Sequence, residues 1–211
     1  MSGIRAETLL AMTYFIKSFT LDRAWLALAD DELFWEPVAG AWGVRRREEC
    51  TTPNPFGSAD PDWVADYDAD LASGADWRTT IEPLTTIGWL FWHVGSQPGR
   101  LADLDFLGGS KTARSGWTSP YLTPHPIFTS GADAVETMRS GWRRLIDRLR
   151  SATDDDLERP TEWWTYGEPR PPASGAQIIA STLNEISHHG TQICTLRDLY
   201  VVGGGRTFAT V

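Results

Sequence analysis

Four stretches of this chain repeat apolar side chains at three- and four-residue steps, the period of an amphipathic helix. The first spans roughly 4–30, where Leu9, Met12, Ile16 and Phe19 are followed by Trp25, Leu26 and Leu28. The second spans roughly 85–107, with Thr85 or Thr86 placed to cap its start. Pro98 has to interrupt it, because proline lacks an N–H and disfavours helix at the preceding Gln97, so a kink or break is expected one turn beyond His93. The third, roughly 133–152, carries Val135, Met138, Trp142, Leu145, Ile146 and Leu149 as one stripe. The fourth, roughly 174–202, ends at the glycine run 203–205. Between them, 31–84, 108–132 and 153–173 are rich in Pro, Gly, Asp and Trp and predict long connections with only short pieces of strand. Connections of that length inside a compact domain tend to be functional. Amphipathic helices of about 20 to 29 residues bury their stripes by packing together. The pattern therefore predicts an all-α fold, a four-helix bundle with elaborated loops, in a single domain over 1–211.

Composition sharpens this picture. A chain that is 41% hydrophobic and 22% charged is that of a globular protein. Of its 11 tryptophans, Trp35, Trp42, Trp63, Trp77 and Trp117 fall outside the strongly periodic segments and are expected to anchor the loops to the body of the fold. The net charge of −9 argues against a nucleic-acid partner, which would require a basic stripe. Cys50 and Cys194 lie far apart in sequence and fit a reduced, cytoplasmic protein. The first residues place Glu7 and Lys17 inside their apolar pattern and lack a signal-peptide core. No apolar run approaches the roughly 20 residues of a membrane span. A cytoplasmic protein with a small-molecule partner is expected, and exposed tryptophans would suit a homodimer.

The candidate chemistry lies on the fourth helix, in NEISHHGTQ at 184–192. With Glu185 set at zero and about 100° per residue, Ile178 and Leu196 fall near 20°, Ile193 near 80°, Ile186 near 100°, Ile179 near 120° and Leu183 near 160°. His189, near 40°, points into that apolar sector, and Glu185 lies at its edge. His188, near −60°, points away, to the surface or beneath a loop. A carboxylate at the edge of a core costs several kcal/mol unless a cation, a metal or hydrogen-bond donors meet it. His93 sits in the most apolar stretch of the chain, IGWLFWHVGSQ at 87–97. Two imidazoles and a carboxylate from facing helices would make a three-ligand site with open positions, suited to Zn²⁺, Ni²⁺, Mn²⁺ or Fe²⁺. Gln97, one turn further, could add a fourth contact. A histidine bonded to a carbonyl, beside a structural carboxylate–imidazole pair, is the alternative reading of the same residues.

NEISHHGTQICTLRDLY at 184–200 resembles the last helix of the DinB-like superfamily, which often reads H-x-x-x-H-R-G-Q. His189 matches the second histidine of that motif and Gln192 its glutamine. Glu185 stands where many members have histidine, and in this it is similar to the mycothiol-dependent maleylpyruvate isomerase branch. His93 matches the second-helix histidine, and LFWEPVAGAWGVR at 33–45 is similar to the loop after helix one. The resemblance implies an up-down-down-up bundle that binds a divalent metal through His93, Glu185 and His189. It also implies a metal-dependent enzyme, with a low-molecular-weight thiol S-transferase of the mycothiol type foremost. A metal-dependent hydrolase and a non-catalytic ligand-binding or dimerising bundle are the alternatives.

Other residues are expected in lesser roles. Arg197 and Tyr200 lie two to three turns beyond His189; Arg197, near 120°, could meet an acidic group but is assigned to the surface. His125, in TPHPIF, is read as a solvated or capping loop residue that could reach the mouth of the site. Cys194 is expected to pack, and Cys50 has no identifiable base nearby. EISH is one copy of the E-x-x-H motif of di-iron bundles, and the required second copy is absent from the sequence.

Overall fold

The structure is a computed structural model that describes residues 3–50, 56–57, 62–66, 84–110, 125–165 and 168–207. Over these residues the chain is mostly helical, with two small antiparallel sheets. The first predicted helix ends early. α1 (Ile4–Ile16) runs into a π-helical turn, Lys17–Leu21, and then a single further turn, α2 (Asp22–Ala24). A π-turn adds a residue and shifts the phase of everything after it. Leu21 and Ala24 are consequently buried, whereas Phe19 and Leu26, predicted to face inward, are exposed. Beyond Ala24 the helix does not resume, because Arg197 takes the carbonyls there: it donates to Leu26 O at 2.9 Å and Ala27 O at 2.7 Å. A short α3 (Asp30–Leu33) follows.

The second predicted helix divides at the expected place. α4 (Ile87–Val94) starts at Thr86, whose hydroxyl accepts from the Trp89 N–H at 3.1 Å. After Gly95 and Ser96 the chain re-enters helix as α5 (Gln97–Ala102), with Pro98 in the first turn, where no amide donor is needed. α6 (Gly131–Ser151) is capped by Ser130, and its whole predicted stripe is buried. In α7 (Asp154–Glu158) a carboxylate oxygen of Asp154 accepts from the backbone N–H of Arg5, which ties the start of α1 to this turn. The connection before the fourth predicted helix holds more strand than the sequence suggests: β4 (Pro160–Thr165) pairs antiparallel with β5 (Glu168–Ser174). Ser174 and Gln177 then form a capping box for α8 (Gly175–Gly203), and Gly204, at φ 61°, ends that helix in the left-handed region.

α8 packs on α1, α4 and α5, and α6 packs on α1, α4 and α5. Two glycines set the closest approaches. A Cβ on Gly141 would lie 2.6 Å from the Gly99 backbone nitrogen, which brings α5 and α6 together. A Cβ on Gly190 would lie 2.8 Å from Thr20, so the π-turn can seat directly on α8 beside His189.

The long connection after α3 builds a three-stranded antiparallel sheet from β1 (Val44–Arg46), β2 (Phe56–Gly57) and β3 (Trp63–Ala65), with β3 central. Trp35 and Trp42 are buried in the body of the fold, and Trp63 stacks on Phe34 at 5.6 Å. Trp77 and Trp117 lie outside the described residues. Among the described residues, no helix is long and apolar enough to cross a membrane.

Candidate metal centre

α4 and α8 lie against each other, and their facing sides meet at His93, Glu185 and His189. One carboxylate oxygen, Glu185 Oε1, stands 3.2 Å from His93 Nε2 and 3.1 Å from His189 Nε2. The two imidazole rings meet edge to face, with centroids 4.7 Å apart. All three candidate ligand atoms fall within 4.8 Å of one another. A four-coordinate ion with bonds of about 2.0–2.1 Å separates its ligand atoms by about 3.4 Å, close to the two nitrogen–oxygen distances here. The set therefore fits a divalent cation in chemistry and in spacing. It is also open on one side, since the Glu185 side chain is 44% exposed while the His189 side chain is 13% exposed.

The surroundings aim these groups. Gln192 Oε1 accepts from His189 Nδ1 at 2.6 Å, so Nδ1 carries the proton and Nε2 is the atom turned to Glu185. The His93 ring stacks on Trp89, with centroids 5.2 Å apart and planes 20° from parallel. The Trp89 indole N–H donates to Asp66 O at 2.7 Å. Asp66 is itself buried, and its carboxylate receives Arg45 Nε at 2.6 Å, the Gly43 N–H at 2.9 Å and the Cys50 thiol at 3.3 Å. The inserted sheet thus ends on the indole that supports His93. The two facing imidazoles, His189 first and then His93, hold the Glu185 carboxyl far below the ordinary carboxylate range, against the opposing effect of burial.

The other candidates fall into different places. Gln97 is buried and donates its amide N–H to the His93 backbone oxygen at 3.1 Å, so it braces the helix break. His188 is exposed, its ring edge-on to His189 at 4.9 Å. Cys194 is half-buried, with its thiol 3.4 Å from Thr20 O, and burial raises its pKa. Among the described residues neither cysteine is in a disulfide.

Two expectations are overturned. Arg197 is not a surface residue: its side chain is 13% exposed and pairs with the buried Glu32 at 2.8 Å. Its helical angle had placed it inside the apolar sector, and the acidic run 30–32 supplies the partner that such a position demands. His125 is not solvated but only 4% exposed. Its ring lies nearly parallel to that of His93, with centroids 6.5 Å apart, and its Nε2 is 3.4 Å from Arg100 Nη1. Burial first, then Arg100 and His93, push its pKa down to about 3, while the nearby Trp92 backbone opposes the shift. Arg100 drew no attention in the sequence, although it lies seven residues after His93 on the continuation of the same helix.

Comparison with known families agrees with this arrangement. The DinB superfamily model matches residues 20–193, from the π-turn to the helix that carries Glu185 and His189, and the chain belongs to that superfamily. No curated protein matches the chain. No solved structure matches it either.

Proposed function

We propose that this protein is a divalent-metal-dependent enzyme, its core an up-down-down-up four-helix bundle of α1, α4–α5, α6 and α8. His93 Nε2, His189 Nε2 and Glu185 Oε1 hold the ion, which is Zn²⁺, Ni²⁺, Mn²⁺ or Fe²⁺ by the chemistry of the donor set. The observation that carries this reading is the convergence of two imidazole nitrogens on one carboxylate oxygen at 3.2 and 3.1 Å. Lone pairs that meet in this way repel unless protons or a cation lie between them, and a divalent cation satisfies all three at once. Superfamily membership supports the same assignment.

Bound there, a divalent cation supplies Lewis acidity that lowers the pKa of a thiol or of water brought to it. The chain's own groups do the rest. Gln192 fixes the orientation of His189, Trp89 holds the plane of His93, and the negative Glu185 offsets the charge of the ion. The exposed side of Glu185 leaves an approach for a small molecule. The reaction we assign is transfer of a low-molecular-weight thiol to an electrophile, with metal-assisted hydrolysis as the alternative at the same centre.

Both follow from one set of assays. Protein loaded with each of the four metals is given N-acetylcysteine with monobromobimane, and separately a p-nitrophenyl ester. Thiol consumption above the buffer rate, absent in a Glu185→Ala/His189→Ala double variant, supports the transferase, and ester cleavage alone supports the hydrolase. Blank rates for both in fully loaded protein contradict an enzymatic role and leave a binding module.

A further inference from the structure

α1 is apolar on two opposite sides. Ala6, Leu9 and Thr13 are buried, and α1 packs on α6 and α8. Ile4, Thr8, Ala11 and Phe15 form a second row, at helical spacing, that is exposed. Phe19 in the π-turn continues that row: its ring lies 4.5 Å from the ring of Phe15, and the two residues are 74% and 66% exposed. A helix with apolar residues all round is ordinarily covered all round. Thr8 does not make the row polar, because its hydroxyl turns back to donate to Ile4 O at 2.8 Å. On α8, which seats the π-turn at Gly190, the exposed Thr191 and Thr195 do the same, donating to Ser187 O at 2.9 Å and Thr191 O at 3.1 Å.

The charge pattern and the spacing together say what covers this row. Residues 8–16 contain no charged side chain, in a chain whose net charge is −9. Beyond them Lys17 pairs with Asp22 at 2.6 Å and Arg23 pairs with Asp198, so these charges cancel within the chain. Two copies of so acidic a chain repel one another unless they meet through a face without net charge, and α1 supplies one. Its row is also self-complementary. About a two-fold axis between Ala11 and Met12, an antiparallel second α1 sets Phe15 of each copy against Thr8 of the other, and Phe19 against Ile4, because each pair is equidistant from the axis. Ala11, the smallest side chain of the row, falls at the crossing, where the two helices come closest. Covering rings that are 66% and 74% exposed removes about 250 Å² per copy from water. With Ile4, Ala11 and the threonines the contact reaches about 1,000 Å² in total, the lower bound of a specific interface and the scale of a micromolar dimer.

We propose that this protein associates with a second copy of itself through the outer row of α1, as a two-fold dimer with Ala11 at the axis and Phe15 and Phe19 as its principal contacts. The dimer does not depend on the chemistry assigned to the metal centre. It is tested by sedimentation equilibrium on the full chain from about 1 to 200 µM. The parent is compared with Phe15→Ser/Phe19→Ser and with Ala11→Glu, which brings two carboxylates together at the axis. Val201→Ser/Val202→Ser, at another exposed apolar pair, 74% and 83% exposed, is the control. Each variant is first checked for folding by circular dichroism.

The parent should pass from the mass of one chain toward that of two within this range. The dissociation constant should rise at least about tenfold in both α1 variants and stay unchanged in the control. If only one α1 variant folds, its constant decides. A parent that stays monomeric throughout would overturn the dimer and leave the row to a different protein. A dimer that survives the α1 substitutions, or that is lost in the control instead, would overturn it as well, by placing the contact elsewhere.

Discussion

At the scale of single residues, the strongest constraint is Arg197. Its guanidinium spans the buried Glu32, with contacts at 2.8 and 3.3 Å, and the carbonyls of the chain leaving α2. Removing one member of a buried ion pair strands the other, at a cost of about 3–5 kcal/mol. Arg197→Ala should therefore lose stability on that scale in urea unfolding, and a loss below about 1 kcal/mol would return it to the surface role first assigned. His125 makes a second prediction, through pH. Its folded pKa of about 3 lies below the 6.5 of a free histidine. Between those values the unfolded chain binds a proton that the native state refuses, so the stability is complete above the higher value and is lost as pH falls toward the lower one. The urea midpoint of the parent should drop more between about pH 7 and 5 than that of His125→Gln. Parallel curves would mean that the ring titrates normally. Of these two residues, Arg197 was legible in its helical angle. His125, held between two prolines in a segment without periodicity, offered no signal of direction.

At the scale of elements, legibility followed periodicity. α6 and α8 came through within about two residues at each end, because a continuous stripe and a strong cap define them. The division of the second helix was readable from Pro98. The π-turn at Lys17–Leu21 was not, since no proline or glycine marks it. What makes room for it lies across the interface at Gly190, which has no side chain to keep the turn away. The sheet inserted after α3 was legible only as short pieces of strand, and its pairing was not, because the strands are two or three residues long and meet at a buried carboxylate. Asp66 gathers Arg45, Gly43 and Cys50 on its side chain and Trp89 on its backbone. Asp66→Asn should consequently cost about 3 kcal/mol of stability through loss of the buried pair with Arg45. It should also blue-shift or broaden tryptophan emission as Trp89 loosens. A variant as stable as the parent would show that the sheet is held on by other contacts.

At the scale of the molecule, two helices distant in sequence bring one carboxylate and two imidazoles to a common point, and a shell of Gln192, Trp89 and the inserted sheet aims them. The helical wheel placed Glu185 and His189 on the inward side and left the position of His93 to analogy. Only packing could show that α4 presents that ring to α8. The most direct test of the account is metal content by plasma mass spectrometry on untagged protein, beside the Glu185→Ala/His189→Ala variant. We predict close to one equivalent of Zn, Ni, Mn or Fe per chain in the parent, or on dialysis against these metals, and none in the variant. A parent that stays empty after dialysis, or a variant that keeps its metal, would contradict the centre and leave Glu185 with its two histidines as a structural polar cluster.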